Sequence, residues 1–168
     1  TQATPPERVK ALADHLAGKG FAVRTGPEKP ADLTRDQGSL VPLYFLKRVW
    51  KALPPVVFAS PIGLDSDAAH RLGEALASLD DGCSWGLLAS GDLSHRLTPD
   101  APAGYSPAGK KFDAAVVEAL STTDPRPLLE FPPAAMEDAG ECGLRSVLAM
   151  LGLCETLGGK IEVLSYEG

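Results

Sequence analysis

The sequence predicts an α/β fold, in which helices flank a layered, mostly parallel or mixed sheet. Short apolar runs recur along the chain, and the run at 56–60 contains β-branched residues, as in a strand buried on both faces. Segments whose apolar residues keep helical spacing separate these runs. The connections are mostly short, which is typical of alternating strand and helix units.

In the first part of the chain, helix and strand alternate twice. A helix begins at Pro5-Pro6 and closes at Gly18 and Gly20, since proline favours a first turn and glycine ends a helix. A short strand over residues 21–25 follows it. Residues 40–50 predict a second helix, and residues 56–60 form an apolar run that predicts a buried strand.

The same alternation continues to the end of the chain. Asp65-Ser66-Asp67 caps a helix that runs to about Leu79. Residues 85–90 predict the next buried strand. A loop rich in Pro and Gly then leads to helices over residues 112–120 and 144–153, the latter apolar nearly all round and therefore buried. The final strand is predicted over residues 160–166.

Length and composition indicate one globular domain over residues 1–168, because 44% of the residues are hydrophobic and 23% are charged. The first predicted element is a helix that is followed by a strand. An α/β unit would instead begin with a strand before that helix. We therefore expect the domain to lack that strand. The exposed apolar edge would favour a homo-oligomer.

Several classes of partner and location are disfavoured by composition. The net charge is -6 and no basic tract exists, which argues against nucleic-acid binding. No apolar stretch approaches the length of a membrane span. The three cysteines are widely spaced and form no CxxC pair, so a reduced, cytoplasmic setting is expected.

The most informative stretch follows the strand predicted over residues 85–90. Ser-Gly leads there into a polar cluster that contains Asp92, Ser94 and His95. Ligands bind at the carboxyl ends of strands in open α/β sheets, and a histidine in that place can transfer a proton or bind a metal. The alternative is a histidine that merely ties down the loop. By contrast, His15 and His70 are expected to be solvated surface residues of their helices.

A second candidate site lies where the helix over residues 144–153 begins. Glu141 and Cys142 stand there, and the helix dipole favours anionic groups at such a terminus. Either residue could bind a metal. Spacing alone favours a structural alternative, in which Glu141 or Asp138 caps the helix and Cys142 is a small core residue. A third stretch, residues 34–46, could be a pocket rim or merely a helix start.

Four motifs in order resemble the LigB-type catalytic subunit of class III extradiol ring-cleavage dioxygenases and the related Memo-like proteins. They are Asp-Gln-Gly-Ser-Leu-Val-Pro-Leu at 36–43, Ser-Gly-Asp-Leu-Ser-His at 90–95, Gly-Tyr-Ser-Pro-Ala-Gly-Lys-Lys-Phe-Asp at 104–113, and Gly-Glu-Cys-Gly-Leu-Arg at 140–145. The resemblance covers residues 36 to about 152. It implies a LigB/Memo-like α/β fold.

The resemblance also implies an Fe(II) cofactor, held by two histidines and one carboxylate, and a small aromatic diol as substrate. His95 and Gln37 fall on the two proton-transfer positions of the family. Glu141 falls on the carboxylate ligand, with Cys142 as the alternative ligand.

Four further residues are assigned supporting roles by the same resemblance. Asp92 and Ser94 would orient His95. Asp36 and Tyr105 would likewise orient groups of the site or contact the substrate.

Two departures from the family pattern predict that Fe(II)-dependent insertion of O₂ into a catechol-type ring is impaired or absent in this chain. The amide of Gln37 can donate and accept hydrogen bonds but cannot exchange protons near pH 7. No candidate exists for the two histidine ligands of the family, so the alternative expectation is that this chain binds no metal. The alternative function is a non-catalytic, Memo-like scaffold for binding or interaction.

Overall fold

The computed structural model describes residues 4–26, 37–101 and 103–167. Among these residues none lies in a β-strand, so the predicted layered α/β sheet is wrong. None of their helices has the length and apolarity that a membrane span requires. The helices are α1 (Pro6–Gly18), α2 (Gln37–Val49), α3 (Ser66–Ala77), α4 (Pro107–Thr122), α5 (Arg126–Leu129), α6 (Pro133–Ala139) and α7 (Leu144–Thr156).

The segments that were predicted as strands have no regular secondary structure. They are also more exposed than buried strands would be: Phe58 is 43% exposed and Leu88 is 53% exposed. An apolar run indicates a tendency toward burial, but it carries no information about a partner strand. A strand depends on that partner because its hydrogen bonds are made between segments.

The predicted helices are present, with shifted boundaries. α4 begins at Pro107, earlier than predicted, because the Ser106 side chain accepts a hydrogen bond from the Ala108 N–H group at 3.2 Å and caps the helix. α2 begins at Gln37 and accommodates Pro42 within it. The short helices α5 and α6 were not predicted, and each has a proline in its first turn.

The chain divides into two compact units, of which the first comprises Thr1–Ser60 and Ser78–Ser90. Asp81 joins two segments of this unit by hydrogen bonds. Its carboxylate accepts hydrogen bonds from the Trp85 indole at 3.0 Å and from Arg8 Nη1 at 2.9 Å. The Trp85 hydrogen bond and the Arg8 guanidinium lower the pKa of Asp81, so these contacts favour its charged form.

The second unit comprises Pro61–Ala77 and Gly91–Gly168, and α3 packs along α7 within it. Two glycines set the separation of these helices. A Cβ atom on Gly73 would lie 1.9 Å from the Ala149 carbonyl oxygen, and one on Gly152 would lie 2.2 Å from the His70 carbonyl oxygen. The two backbones therefore touch, and neither position has room for a side chain.

The largest buried residues of the second unit lie on α4, α5 and α7. Phe112 is fully buried and meets Phe131 edge to face, with ring centroids 5.6 Å apart and an interplanar angle of 83°. Leu128, Leu148 and Leu151 are also fully buried in the same cluster. This core anchors the elements that carry the candidate site.

The expectation of a solvated surface histidine is wrong for His70. Its side chain is only 12% exposed, and its Nε2 atom lies 3.0 Å from Glu155 Oε2 on α7. Glu74, one turn further along α3, lies 3.7 Å from the Nδ1 atom. The close packing at the two glycines explains the burial, because it brings the α3 backbone at His70 directly against α7.

Candidate functional site

Two loops of the second unit meet through their glycine backbones. A Cβ atom on Gly91 would lie 2.4 Å from the Gly143 Cα atom, and one on Gly143 would lie 2.6 Å from the Asp92 carbonyl oxygen. The His95 N–H group also donates to the Gly140 carbonyl oxygen at 3.3 Å. The segments at 91–96 and 140–143 are therefore held in direct contact.

This contact brings Asp92, His95 and Cys142 together. One potential ligand atom from each residue lies within 4.8 Å of the others. The Asp92 carboxylate is 3.9 Å from His95 Nε2 and 4.0 Å from the Cys142 sulfur atom. All three residues are exposed to solvent. The cluster therefore offers an imidazole, a carboxylate and a thiol to a small molecule or an ion.

Ser94 fixes the loop that presents His95. Its hydroxyl donates to the Ala139 carbonyl oxygen at 2.7 Å and accepts from the Arg96 N–H group at 3.0 Å. Its own N–H group donates to Asp113 Oδ1 at 2.9 Å. These contacts give Ser94 an anchoring role for the loop. Its predicted influence on His95 stays a prediction.

Asp113 is a residue of this region to which the sequence analysis assigned no role. It lies on α4 and is 1% exposed. Its second carboxylate oxygen, Oδ2, accepts a hydrogen bond from the Tyr166 hydroxyl at 2.7 Å. A signal was present in the sequence, because Asp113 adjoins Phe112 and shares the apolar face of the helix with Val116. Tyr166 itself carried no such signal.

The Tyr166 contact predicts a pH dependence of stability at the alkaline end. Burial and the Asp113 hydrogen bond raise the pKa of Tyr166 from 10.0 to about 12. The contribution of the neutral phenol is therefore full below pH 10 and is lost as the pH rises to 12, by about 1 kcal/mol after allowance for partial exposure. Urea unfolding of the wild type and of Tyr166→Phe at several pH values measures it. A difference between the two proteins that is constant from pH 9 to 12 contradicts the prediction.

Glu141 is not a member of the Asp92–His95–Cys142 cluster, and its carboxylate contacts the start of α7. Its Oε2 atom accepts a hydrogen bond from the Leu144 N–H group at 2.7 Å, as expected of a residue that caps α7. It also lines an open cleft of about 740 Å³, whose lining includes Asp65, Glu130 and Arg145. Its role as a metal ligand stays a prediction. Cys142 is exposed, so the alternative of a core cysteine is wrong.

The remaining predicted site residues are distributed over the chain. Gln37 begins α2 in the first unit and is exposed. Asp36 lies outside the described residues. Tyr105 is 57% exposed and precedes Ser106, whose N–H group donates to the Arg96 carbonyl oxygen at 2.9 Å. The assigned roles of these three residues stay predictions.

The cluster does not fit the Fe(II) centre that the resemblance implies. That centre requires two imidazoles and one carboxylate, and the cluster supplies one imidazole. His70 is engaged with Glu155, and His15 lies in the first unit, 3.3 Å from the Ser78 hydroxyl. An imidazole, a carboxylate and a thiol together are donors that zinc accepts more readily.

Comparison with known proteins agrees with the motifs. Residues 4–168 match the model of a family described as the catalytic LigB subunit of aromatic ring-opening dioxygenase. A protein of Clostridium acetobutylicum is 38% identical over 137 residues, which are 79% of this chain. The chain spans 29% of the length of that relative. Dioxygenases of the family generally use non-haem Fe(II). The predicted resemblance is confirmed: the chain belongs to the LigB family of ring-opening dioxygenase catalytic subunits.

Proposed function

We propose that this chain is a ring-cleavage dioxygenase-like protein whose second unit supplies the proton-transfer part of the site. His95 is the group that carries the proton. The observation that supports this role is the convergence of Asp92, His95 and Cys142, from segments about 50 residues apart, on one exposed point. Because the cluster has a single imidazole, we propose that the chain by itself is impaired or inactive in Fe(II)-dependent insertion of O₂.

The geometry suits a small aromatic diol. The His95 side chain is 43% exposed, so a hydroxyl group can reach its ring nitrogen. A ring nitrogen of His95 can accept a proton from that hydroxyl, and the Asp92 carboxylate lies 3.9 Å from the Nε2 atom. The Cys142 thiol borders the same point and would contact the ligand or a soft metal ion.

Loading with Fe(II) in the absence of oxygen tests whether the iron centre of this chain is incomplete. The purified chain is mixed with Fe(II), desalted, and measured by elemental analysis and by O₂ uptake with catechol. We expect well under one equivalent of iron and no O₂ uptake above the protein-free control, because one imidazole is too few for the centre. A full equivalent of iron that is lost in His95→Ala or Glu141→Ala would contradict the proposal and show that a complete centre assembles.

Titration with 4-nitrocatechol tests the proton-transfer role, because the absorption of this diol reports its ionisation. The wild type is expected to bind it in the ionised form, and His95→Gln is expected to bind it about tenfold more weakly, as for loss of a hydrogen bond to a charged group. His15→Gln is the matched control, since His15 lies in the first unit. Equal affinity of wild type and His95→Gln would remove the basis of this role.

A non-catalytic scaffold for binding or interaction is the second candidate function. It is favoured by the surface of α2, where a set of large apolar side chains is exposed: Leu40, Val41, Tyr44, Phe45 and Val49. An exposed patch of this kind is typical of an interaction site, and we propose that it supports a homo-oligomer. Sedimentation velocity distinguishes the candidates. A monodisperse monomer at high protein concentration, together with 4-nitrocatechol binding, would favour the dioxygenase-like site over the scaffold.

A further inference from the structure

The carboxyl-terminal segment of the chain reaches the loop of His95 through one buried carboxylate. The Tyr166 hydroxyl donates to Asp113 Oδ2 at 2.7 Å, and the Ser94 N–H group donates to Asp113 Oδ1 at 2.9 Å. Ser94 is the residue before His95. A continuous path of two hydrogen bonds therefore joins Tyr166 to the backbone of the candidate site.

Because Asp113 is buried, its carboxylate depends on these hydrogen bonds. Asp113 is 1% exposed, and a buried carboxylate is costly unless hydrogen bonds compensate the loss of water. Both described hydrogen bonds come from outside α4, one from the site loop and one from the end of the chain. Loss of either donor leaves one oxygen uncompensated, so the carboxylate would turn or draw in water and release its other partner.

The carboxyl-terminal segment is held in place independently of Tyr166. Ile161 packs against the core, and its N–H group donates to the Thr123 hydroxyl at 3.4 Å. Thr123 ends α4 in a left-handed conformation, with φ of 53°. Removal of the Tyr166 hydroxyl alone therefore breaks the path to Asp113 while this second tie of the segment remains.

We propose that Asp113 and Tyr166 are positioning residues for His95, because they fix the Ser94 backbone from which its side chain projects. This proposal rests on the function assigned above to His95. The carboxyl-terminal segment thereby becomes part of the site, although its own side chains do not join the Asp92–His95–Cys142 cluster.

Tyr166→Phe in the full chain is the main test, with Tyr44→Phe as its control. Tyr44 is an exposed tyrosine on α2 in the first unit, and its hydroxyl accepts from Arg48. Amide hydrogen exchange of Ser94 and the ring NMR shifts of His95 are measured for both variants. We expect about tenfold faster exchange and displaced ring signals in Tyr166→Phe alone, since one hydrogen bond to a charged group is lost.

Asp113→Asn and Asp113→Ala provide a graded comparison. The asparagine side chain keeps an oxygen for the Ser94 N–H group and should preserve most of the exchange protection, whereas alanine removes both hydrogen bonds. If Asp113→Ala fails to fold, the Ser94 exchange rates and His95 signals of Tyr166→Phe and Asp113→Asn still test the proposal. Ser94 exchange and His95 signals in Tyr166→Phe that match those of Tyr44→Phe would overturn the proposal.

The 4-nitrocatechol titration separates this proposal from the proposed function. A weaker affinity of Tyr166→Phe, in the same direction as His95→Gln, supports both. Affinity that falls in His95→Gln but is unchanged in Tyr166→Phe overturns the positioning role alone. If the wild type does not bind the diol, the proposed function fails, and the NMR comparison alone decides whether Tyr166 sets the position of His95.

Discussion

Gly73→Ala is expected to lower the free energy of unfolding by about 3 kcal/mol. Alanine in place of glycine within a helix normally stabilises it by about 1 kcal/mol. The sign is reversed here because the added Cβ atom would lie 1.9 Å from the Ala149 carbonyl oxygen and 2.6 Å from the Leu153 backbone nitrogen on α7. Neither backbone atom can move without displacing its helix. Urea denaturation measures the difference.

Gly18→Ala is the matched control for this substitution. Gly18 ends α1, and a Cβ atom there would meet nothing within 4 Å. Its effect is expected to lie between zero and a small stabilisation of about 0.5 kcal/mol. If Gly73→Ala were as stable as Gly18→Ala, the close approach of α3 and α7 would be disproved.

Gly143→Ala is expected to damage both stability and the candidate site. Its Cβ atom would lie 2.6 Å from the Asp92 carbonyl oxygen and 3.0 Å from the Gly91 carbonyl carbon. The two loops must separate, which moves Cys142 away from Asp92. We expect a loss of about 2 kcal/mol in unfolding free energy and at least tenfold weaker binding of 4-nitrocatechol.

The control for this second substitution is Gly86→Ala, where a Cβ atom meets open space. Gly91→Ala should reproduce the effects of Gly143→Ala, and the double variant should lose less than the sum, because both glycines belong to one contact. Additive losses, or a diol affinity that is unchanged by Gly143→Ala, would show that the loops are not held together in this way.

The helices could be predicted from the sequence because their signals are local. Proline at the start of α1, Asp65 as the cap of α3 and the apolar periodicity of α7 all act within a few residues of the helix they specify. The sheet could not be inferred in the same way. Runs such as residues 56–60 and 85–90 indicate burial, but pairing depends on distant segments, and these residues form no strand and remain partly exposed.

The candidate site was predictable in its residue types but not in its arrangement. The resemblance assigns the motifs around His95 and Cys142 to one site, but the sequence does not indicate that Asp92 lies beside the thiol. The contact depends on the absence of side chains at Gly91 and Gly143, and a glycine in a sequence does not show which backbone approaches it. Tyr166 was equally hidden, since its partner Asp113 is 53 residues away.

The separation of Asp92 and Cys142 along the chain also bears on how the site forms. The segment between them contains α4, α5 and α6, with the buried Phe112, so the two residues can meet only after a loop of this length has closed around its own core. Closure of such a loop carries an entropy cost that local contacts do not offset. The site is therefore a product of the cooperative folding of the whole second unit, and excised peptides that carry either motif alone would lack it.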